Sequence, residues 1–379
     1  MLHTRTFSRV LASLTVLVLT AGGATAQQPR ETVIDGLNVA TFATGLDHPW
    51  SLAFMPDGNM LVTERPGRLR IVDKAGRLSM PVAGLPPLFA RGQGGLLDVA
   101  LDRDFASNRT IYFCFADPVD GGGRTSLARA RLSGARLGDM KVIFRQQGPV
   151  STGNHWGCRI TPTADGNLFF TTGDHFVHRD QAQNLGNHLG KIIRIRTDGS
   201  VPPDNPFVNR AGALPEIWSY GHRNAQGAAL EPGTGIYWEH EHGARGGDEI
   251  NIPQAGKNYG WPVITYGVDY SGAKIGLGTA REGMEQPVYY WDPSIAPSGM
   301  AFYEGDLFPQ WRGNMFVGAL AGKMLVRLEL DGRKVVRETR LLRRLGERIR
   351  DVRSGPDGAL WLLTDASDGR ILRLTPAPQ

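Results

Sequence analysis

One short pattern returns six times along the chain: an apolar run, a polar turn, and a second apolar run. It stands at Leu52–Thr63 around Asp57 and Gly58, at Asp98–Phe105 followed by Thr110–Phe115, and at Arg159–Asp174 around Asp165 and Gly166. It returns at Gly227–Trp238, at Gly299–Tyr303 followed by Asn314–Gly318, and at Asp351–Thr364 around Asp357 and Gly358. The turns centre near positions 57, 102, 165, 233, 305 and 357, with gaps of 45, 63, 68, 72 and 52 residues. Asp-Gly between strand runs marks a hairpin, because its turn needs residues that tolerate positive φ. Runs such as Gly67–Val72 and Lys323–Leu330 alternate or carry β-branched residues, as strands do. Each unit has room for four short strands and a variable loop. Six units of this size predict an all-β chain folded as a six-bladed β-propeller. A pair of β-sandwiches is the alternative, and it gives no reason for one turn to recur six times. The longest stretch between repeats runs from about 239 to 298, and long loops in compact folds are usually functional.

Composition agrees with this reading. The chain has 379 residues, 41% of them hydrophobic, enough for a large core, and its 49 Gly and 24 Pro suit many tight turns. A charged share of 21% excludes wholesale disorder. Two cysteines, Cys114 and Cys158, exclude a disulfide scaffold and a four-cysteine zinc site; paired or buried free thiols both remain open for them. The formal charge of +5 comes with no dense Lys/Arg run, so nucleic acid is not an expected partner.

Residues 1–26 read as a secretory signal peptide. Arg5 and Arg9 precede an apolar run from Val10 to Leu19, and Ala24-Thr25-Ala26 supplies the small-residue cleavage pattern, with cleavage after Ala26. The run is too short to span a bilayer comfortably. No later stretch is long and apolar enough to cross a membrane. The expected product is a soluble, periplasmic or secreted protein whose residues 27–379 form a single catalytic propeller.

Polar residues gather at the repeat ends. His155 leads into the third repeat and Asp174 closes its hairpin, 19 residues on, so both belong at one end of the propeller. A carboxylate beside an imidazole fixes its tautomer and supports a general base. Arg223 beside Asn224 suits an anionic or carbonyl-bearing ligand. Arg348 and Arg350 alternate in a strand and so share a face, which favours an anion between them. Gln93 sits in the Gly-rich turn Arg91–Gly95, where backbone can approach a ligand. Taken singly, these are also a structural histidine, a surface ion pair, a solvated strand face and an ordinary turn. The run Glu239–His242 invites a zinc reading, with His240 and His242 on one strand face, but it is not H-E-x-x-H on a helix. The oxygen-rich Gly243–Glu249 fits a hard cation such as calcium better. No P-loop, no strand-linked G-x-G-x-x-G and no G-x-S-x-G elbow occurs.

At these residues the chain resembles the soluble periplasmic PQQ-dependent aldose sugar dehydrogenases, the glucose/sorbosone dehydrogenase family. The segments that carry the resemblance are Leu46–Gly58, Gly92–Asp98, His155–Arg159, Gly221–Asn224, Asp248–Asn251, Asn258–Pro262, Ile295–Gly299 and Arg348–Arg350, in that order from about Gly45 onward. The resemblance implies a six-bladed propeller that oxidises aldoses at C1 to the lactone. It implies that His155 takes the C1 hydroxyl proton while hydride passes to PQQ, that Asp174 holds His155, and that Arg223 and Asn224 stabilise the developing oxyanion at the quinone edge. Gln93, Tyr270, Arg348 and Arg350 match further PQQ contacts, and arginines suit its three carboxylates. Ala319, Leu320 and Ala321 fall in a cofactor loop, Gly318–Lys323, where relatives commonly carry a lysine at the place of Ala321; Lys323 lies two residues on. Calcium is implied at the Gly243 and Ala244 carbonyls beside the cofactor, and at Glu249 and Tyr259 as a structural ion. Relatives often have proline where this chain has Ala244, a change that a backbone ligand tolerates. His240 and His242 match no family role. The aldose and an external electron acceptor, a quinone or cytochrome, are the expected partners. Two other readings stand beside this one. A calcium-dependent, lactonase-like hydrolase needs carboxylates and Asn converging on the axis. A non-catalytic exported binding propeller predicts His155, Asp174 and Arg223 scattered.

Overall fold

The computed structural model describes residues 1–2 and 31–378. The leader and its cleavage position lie outside the described residues. Six antiparallel sheets make up the fold. Each repeated turn closes the two inner strands of one sheet: Pro49–Phe54 with Met60–Glu64, Leu96–Leu101 with Thr110–Val119, and Gly157–Pro162 with Asn167–Thr172. The other three are Ala225–Leu230 with Tyr237–Glu241, Pro297–Phe302 with Met315–Ala319, and Ile349–Ser354 with Leu360–Thr364. The six innermost strands pack in sequence around a closed ring, each against the next and the last against the first. This is the six-bladed propeller that the repeats predict.

Ring closure comes from the start of the chain. Leu37–Leu46 pairs antiparallel with Gly369–Pro376, and Glu31–Ile34 adds outside it, so the last blade has five strands. The first blade keeps three, ending with Arg68–Val72. This pairing ties the start of the chain to the last blade and closes the ring, leaving each blade only a short outer edge. Apolar faces of neighbouring blades fill the spaces between them. Leu52, Val62, Trp361 and Leu363 pack between the last and first blades, and Leu127, Ile160, Phe170 and Ile193 between the second and third.

The innermost strand of every blade has a register break near its start: Pro49/Ser51, Leu96/Val99, Gly157/Ile160, Ala225/Gly227, Pro297/Met300 and Ile349/Asp351. Bulges turn side chains out of the ladder. Below them, the axis is stitched by charge. Arg159 Nη1 reaches Asp98 at 3.2 Å and Asp351 at 3.1 Å, Arg353 Nε donates to Asp351 at 2.8 Å, and Ser51 Oγ donates to Asp98. Cys114 and Cys158 form a disulfide that joins the second blade to the third.

The stretch 239–298 is not one long loop. It contains the end of an inner strand and two outer strands, Asp248–Asn251 and Tyr289–Trp291. Polar Asp248 and Asn251 hold two of the three buried positions of Asp248–Asn251, beside Ile250, which hid that strand from its pattern. The true excursion is 252–288. No helix among the described residues is long and apolar enough to cross a membrane.

Candidate active site

The bulged strand starts and the loops above them enclose a cavity of about 320 Å³. Trp50, Leu97, Gln226 and Arg350 enter it from four inner strands, and Gln93, Asn224, Tyr270 and Leu320 from loops. His155 and Arg223 stand at its edge: Trp156, Gly157 and Asn224, their chain neighbours, line it.

The hairpin geometry expected from the sequence is present. His155 Nδ1 lies 2.6 Å from Asp174 Oδ1, and both residues are buried. Asp174 is saturated with donors, since Phe176 N–H reaches Oδ1 at 2.8 Å and Trp261 Nε1–H reaches Oδ2 at 2.8 Å. A carboxylate so held is an acceptor only, so Nδ1 of His155 carries the proton and Nε2 presents a lone pair. Burial, and then the Arg223 charge, push the His155 pKa below its ordinary value against the opposing pull of Asp174. The imidazole is therefore neutral near pH 7 and able to accept a proton. The Asp174 carboxyl is held below its usual range by the His155 hydrogen bond and charge and by the Arg223 charge, which together outweigh burial. Gln93 Oε1 accepts the His155 backbone N–H at 2.9 Å and fixes the loop that carries the base. His155, Cys158, His175 and Phe176 all have positive φ, strain concentrated at this one corner.

Arg223 is held on the opposite side. Its backbone N–H donates to Glu241, and its Nη1 donates to the carbonyls of His242 and Gly243. Nη2 lies 3.4 Å from the Tyr270 hydroxyl, and the guanidinium sits 5.2 Å above the Trp261 ring. Its buried Nε has no partner among the described residues, a donor left for a ligand. Arg348 and Arg350 share one side as expected, and the chain supplies an anion between them. Asp365 lies 2.9 Å from Arg348 and 3.7 Å from Arg350, with His48 Nδ1 at 2.9 Å. One carboxylate for three guanidiniums, Arg65 included, leaves the cavity wall strongly positive. Burial, and then the neighbouring guanidinium charges, push Arg350 down to about 10, against the pull of Asp365. Such a wall fits a multiply anionic ligand.

The remaining expected positions divide. Leu320 lines the cavity, whereas Ala319 is buried in its strand and Ala321 and Lys323 face solvent outside the cavity. Glu249 and Tyr259 line a separate small cavity together with Glu241, Gly243 and Gly247, an oxygen-rich set that fits calcium. The Tyr259 hydroxyl donates to Ile252 O and accepts from Gln254 N–H, so any bond to an ion falls to its carbonyl. Ala244 is buried beside them. Asp248 is spent on the backbone N–H groups of Gly243, Ile295 and Ala296. The zinc reading of His240 and His242 lacks a ligand set: His242 Nε2–H donates to Pro297 O at 2.6 Å, and neither histidine joins a cluster of three metal-ligating side chains among the described residues.

Sequence reasoning missed Trp261, Arg65, Gln226 and Asp365. Trp261 lies inside Asn258–Pro262, and no local pattern says that its indole reaches a carboxylate 87 residues away. Gln226 accepts from Arg350 across 124 residues.

Fold and site together define a propeller enzyme with a carboxylate-held imidazole beside an anion-accepting pocket. The chain belongs to the glucose/sorbosone dehydrogenase family, whose profile matches residues 46–373, and is thereby an oxidoreductase. It is 48% identical over 346 residues to the aldose sugar dehydrogenase YliI of Escherichia coli K12, covering 90% of this chain and 93% of that one. A crystal structure of a glucose dehydrogenase superposes with a TM-score of 0.87 at 54% identity, over 88% of this chain and 98% of the other. The PQQ-bound aldose sugar dehydrogenase of Streptomyces coelicolor superposes with a TM-score of 0.73 at 32% identity, over 90% and 99%.

Proposed function

We propose that this protein oxidises aldoses at C1 to the lactone, with PQQ in the arginine-lined cavity and calcium beside it. The observation that carries this reading is the neutral, Asp174-held His155 at the edge of a pocket walled by Arg65, Arg348 and Arg350. When bound, PQQ supplies the quinone that takes up the two electrons released at C1. His155 Nε2 accepts the C1 hydroxyl proton, and the adjacent carboxylate stabilises the imidazolium so formed. Arg223 and Asn224 offer donors at the same edge, where negative charge develops. Arg65, Arg348 and Arg350 bind the cofactor carboxylates, Gln93, Tyr270 and Leu320 shape its bed, and Ala319 and Ala321 only frame the loop. The Gly243 and Ala244 carbonyls would hold the cofactor calcium, and Glu249 and Tyr259 the structural one. The Gly243 carbonyl keeps a second lone pair while Arg223 uses the first. An external quinone or cytochrome would reoxidise the cofactor.

The hydrolase reading is disfavoured by the axis, where Asp98 and Asp351 are already neutralised by Arg159 and Arg353. A disulfide between blades supports a protein exported to an oxidising compartment, with residues 27–379 as the mature catalytic domain. The test is dye-linked sugar oxidation by metal-stripped protein given PQQ and Ca²⁺ separately and together. Turnover that requires both supports the reading. No turnover, with no PQQ absorbance retained after gel filtration, refutes it.

A further inference from the structure

On the solvent side of His155 stands an aromatic ring with no part in proton transfer or cofactor binding. Phe176 is 41% exposed, and Val177 beside it is exposed too, while His175 before them is buried. The Phe176 ring meets the His155 ring at right angles, with centroids 5.2 Å apart. It lies 6.2 Å from the ring of Tyr270, itself 58% exposed. Tyr270 lines the cavity and Phe176 does not, so the two rings carry one aromatic surface from the cavity wall out to solvent, past the base.

A single exposed apolar side chain is ordinary. This one is held in place at a cost. His175 and Phe176 have φ of 56° and 63°, the left-handed region that bulky residues avoid. Phe176 N–H is fixed on Asp174 Oδ1 at 2.8 Å, the His175 ring packs against Trp156 at 5.4 Å, and Val177 N–H closes on His175 O at 2.7 Å. The Tyr270 loop is tied to the same segment, with Arg179 Nη1 3.2 Å from Asp269 Oδ2. His175 turns inward and packs, so the strained turn holds the Phe176 ring outward, against the base and in water. Strain retained beside a reacting group is grounds for assigning the residue a role there.

We propose that Phe176 is the sugar-stacking residue of this enzyme, forming with Tyr270 a platform for the pyranose face turned away from the cofactor. The proposal rests on the C1 oxidation proposed above. In an all-equatorial β-pyranose such as glucose, C1–H shares its face with C3–H and C5–H. Hydride leaves from that face toward the cavity, so the face carrying C2–H and C4–H turns outward, where Phe176 stands. C–H bonds carry partial positive charge and meet the negative face of an aromatic ring favourably. An axial hydroxyl at C2, as in mannose, or at C4, as in galactose, sets a polar group against a ring that cannot pair it. The class selected is therefore aldopyranoses with equatorial hydroxyls at C2 and C4.

The test uses the protein loaded with PQQ and calcium, with glucose, mannose and galactose as substrates. Phe176→Ala should raise KM for glucose about fivefold to tenfold, the worth of covering the exposed part of one ring, with a smaller change in kcat. It should also bring the kcat/KM values of the three sugars closer together. Phe176→Tyr keeps the ring and should restore both to within about threefold of wild type. The acid limb of kcat against pH should stay in place, since it reports His155 and Asp174. Wild-type KM and sugar preference in Phe176→Ala overturn the proposal, and so does an acid limb that moves, which would make the ring only a packing partner of His155. Saturation-transfer NMR from aromatic protein protons to glucose, without dye, separates this proposal from the dehydrogenase reading. Wild type that oxidises no sugar, yet shows transfer to C2–H and C4–H that Phe176→Ala loses, refutes the dehydrogenase reading and keeps the platform. Wild type that oxidises sugar without such transfer keeps the dehydrogenase reading and overturns the platform.

Discussion

Asp174→Asn isolates what the carboxylate contributes to the base. The aspartate accepts three hydrogen bonds, from His155 Nδ1–H, Phe176 N–H and Trp261 Nε1–H. Asparagine fits the same space but can accept only at Oδ1. If Oδ1 keeps His155 and Phe176, its amide faces the Trp261 indole donor to donor, which costs about 1–3 kcal/mol of stability. The larger effect is on turnover. An imidazolium formed beside a neutral amide loses its counter-charge, so kcat should fall about 10²–10⁴-fold, or roughly 3–5 kcal/mol of barrier. The pH profile gives a sign that simple misfolding cannot imitate. Burial and Arg223 lower the His155 pKa, and Asp174 alone raises it. A base works in its neutral form, so wild-type activity falls as pH drops through a pKa below the ordinary histidine value. In Asp174→Asn that acid limb should move to still lower pH. The assay is kcat against pH, with saturating PQQ, calcium, sugar and dye. A kcat within about threefold of wild type, or an acid limb that moves up, would refute the role given to Asp174.

Three further outcomes follow from particular contacts. Trp261→Phe keeps a ring beneath Arg223 and deletes one donor to Asp174. It should raise the Asp174 pKa and lower kcat about tenfold, in line with one lost hydrogen bond to a charged group, with KM for sugar little changed; an unchanged kcat would show that the indole bond is idle. Cys114→Ala with Cys158→Ala opens a loop of 44-residue separation, so chain entropy predicts a loss of about 4 kcal/mol, read as a lower guanidinium midpoint; an unmoved midpoint contradicts it. Acid should destabilise the fold well before carboxylates titrate. Burial first lowers His175 to about 4 and His240 to about 3, below their unfolded value near 6.5. Stability from keeping them neutral is complete above pH 6.5 and is lost as pH falls, about 3 kcal/mol each by pH 4.5; equal midpoints at pH 7 and pH 4.5 would refute that burial.

What the sequence made legible was local. Each Asp-Gly turn is written within a dozen residues, so the blade count follows from counting turns. His155 and Asp174 flank one hairpin, so their meeting at 2.6 Å is also a local consequence. Closure was not legible, because Leu37–Leu46 pairs with strand residues more than 300 positions away and nothing in either segment names the other. Trp261 and Gln226 were missed for the same reason: each acts on a residue brought to it by a different blade. Asp365 is different, since it meets Arg348 and Arg350 across one hairpin of its own blade, and no motif marked it. The cysteine pair stayed open until the second and third blades were seen side by side. His222 meets Glu241 across 19 residues because strand alternation puts Glu239 and Glu241 on the face turned toward it, a meeting that no local motif announces.

The repeats and the chemistry occupy opposite ends of the same strands. Every inner strand runs from a bulge at its start to the recurring turn at its end, as Pro49–Phe54 does on its way to Asp57 and Gly58. The turn ends are alike because they only reverse the chain. The bulged ends differ, because there the ladder releases Trp50, Leu97, Gln226 and Arg350 toward one cavity. The loops above that end bring His155, Asp174 and Arg223. A propeller of equal blades has no preferred mouth, so function depends on where the repeat is broken. It follows that the residues least like the repeat, at the starts of inner strands and in the loops facing them, are where differences in sugar choice among relatives should concentrate, while changes at the six Asp-Gly-type turns should alter stability and leave turnover alone.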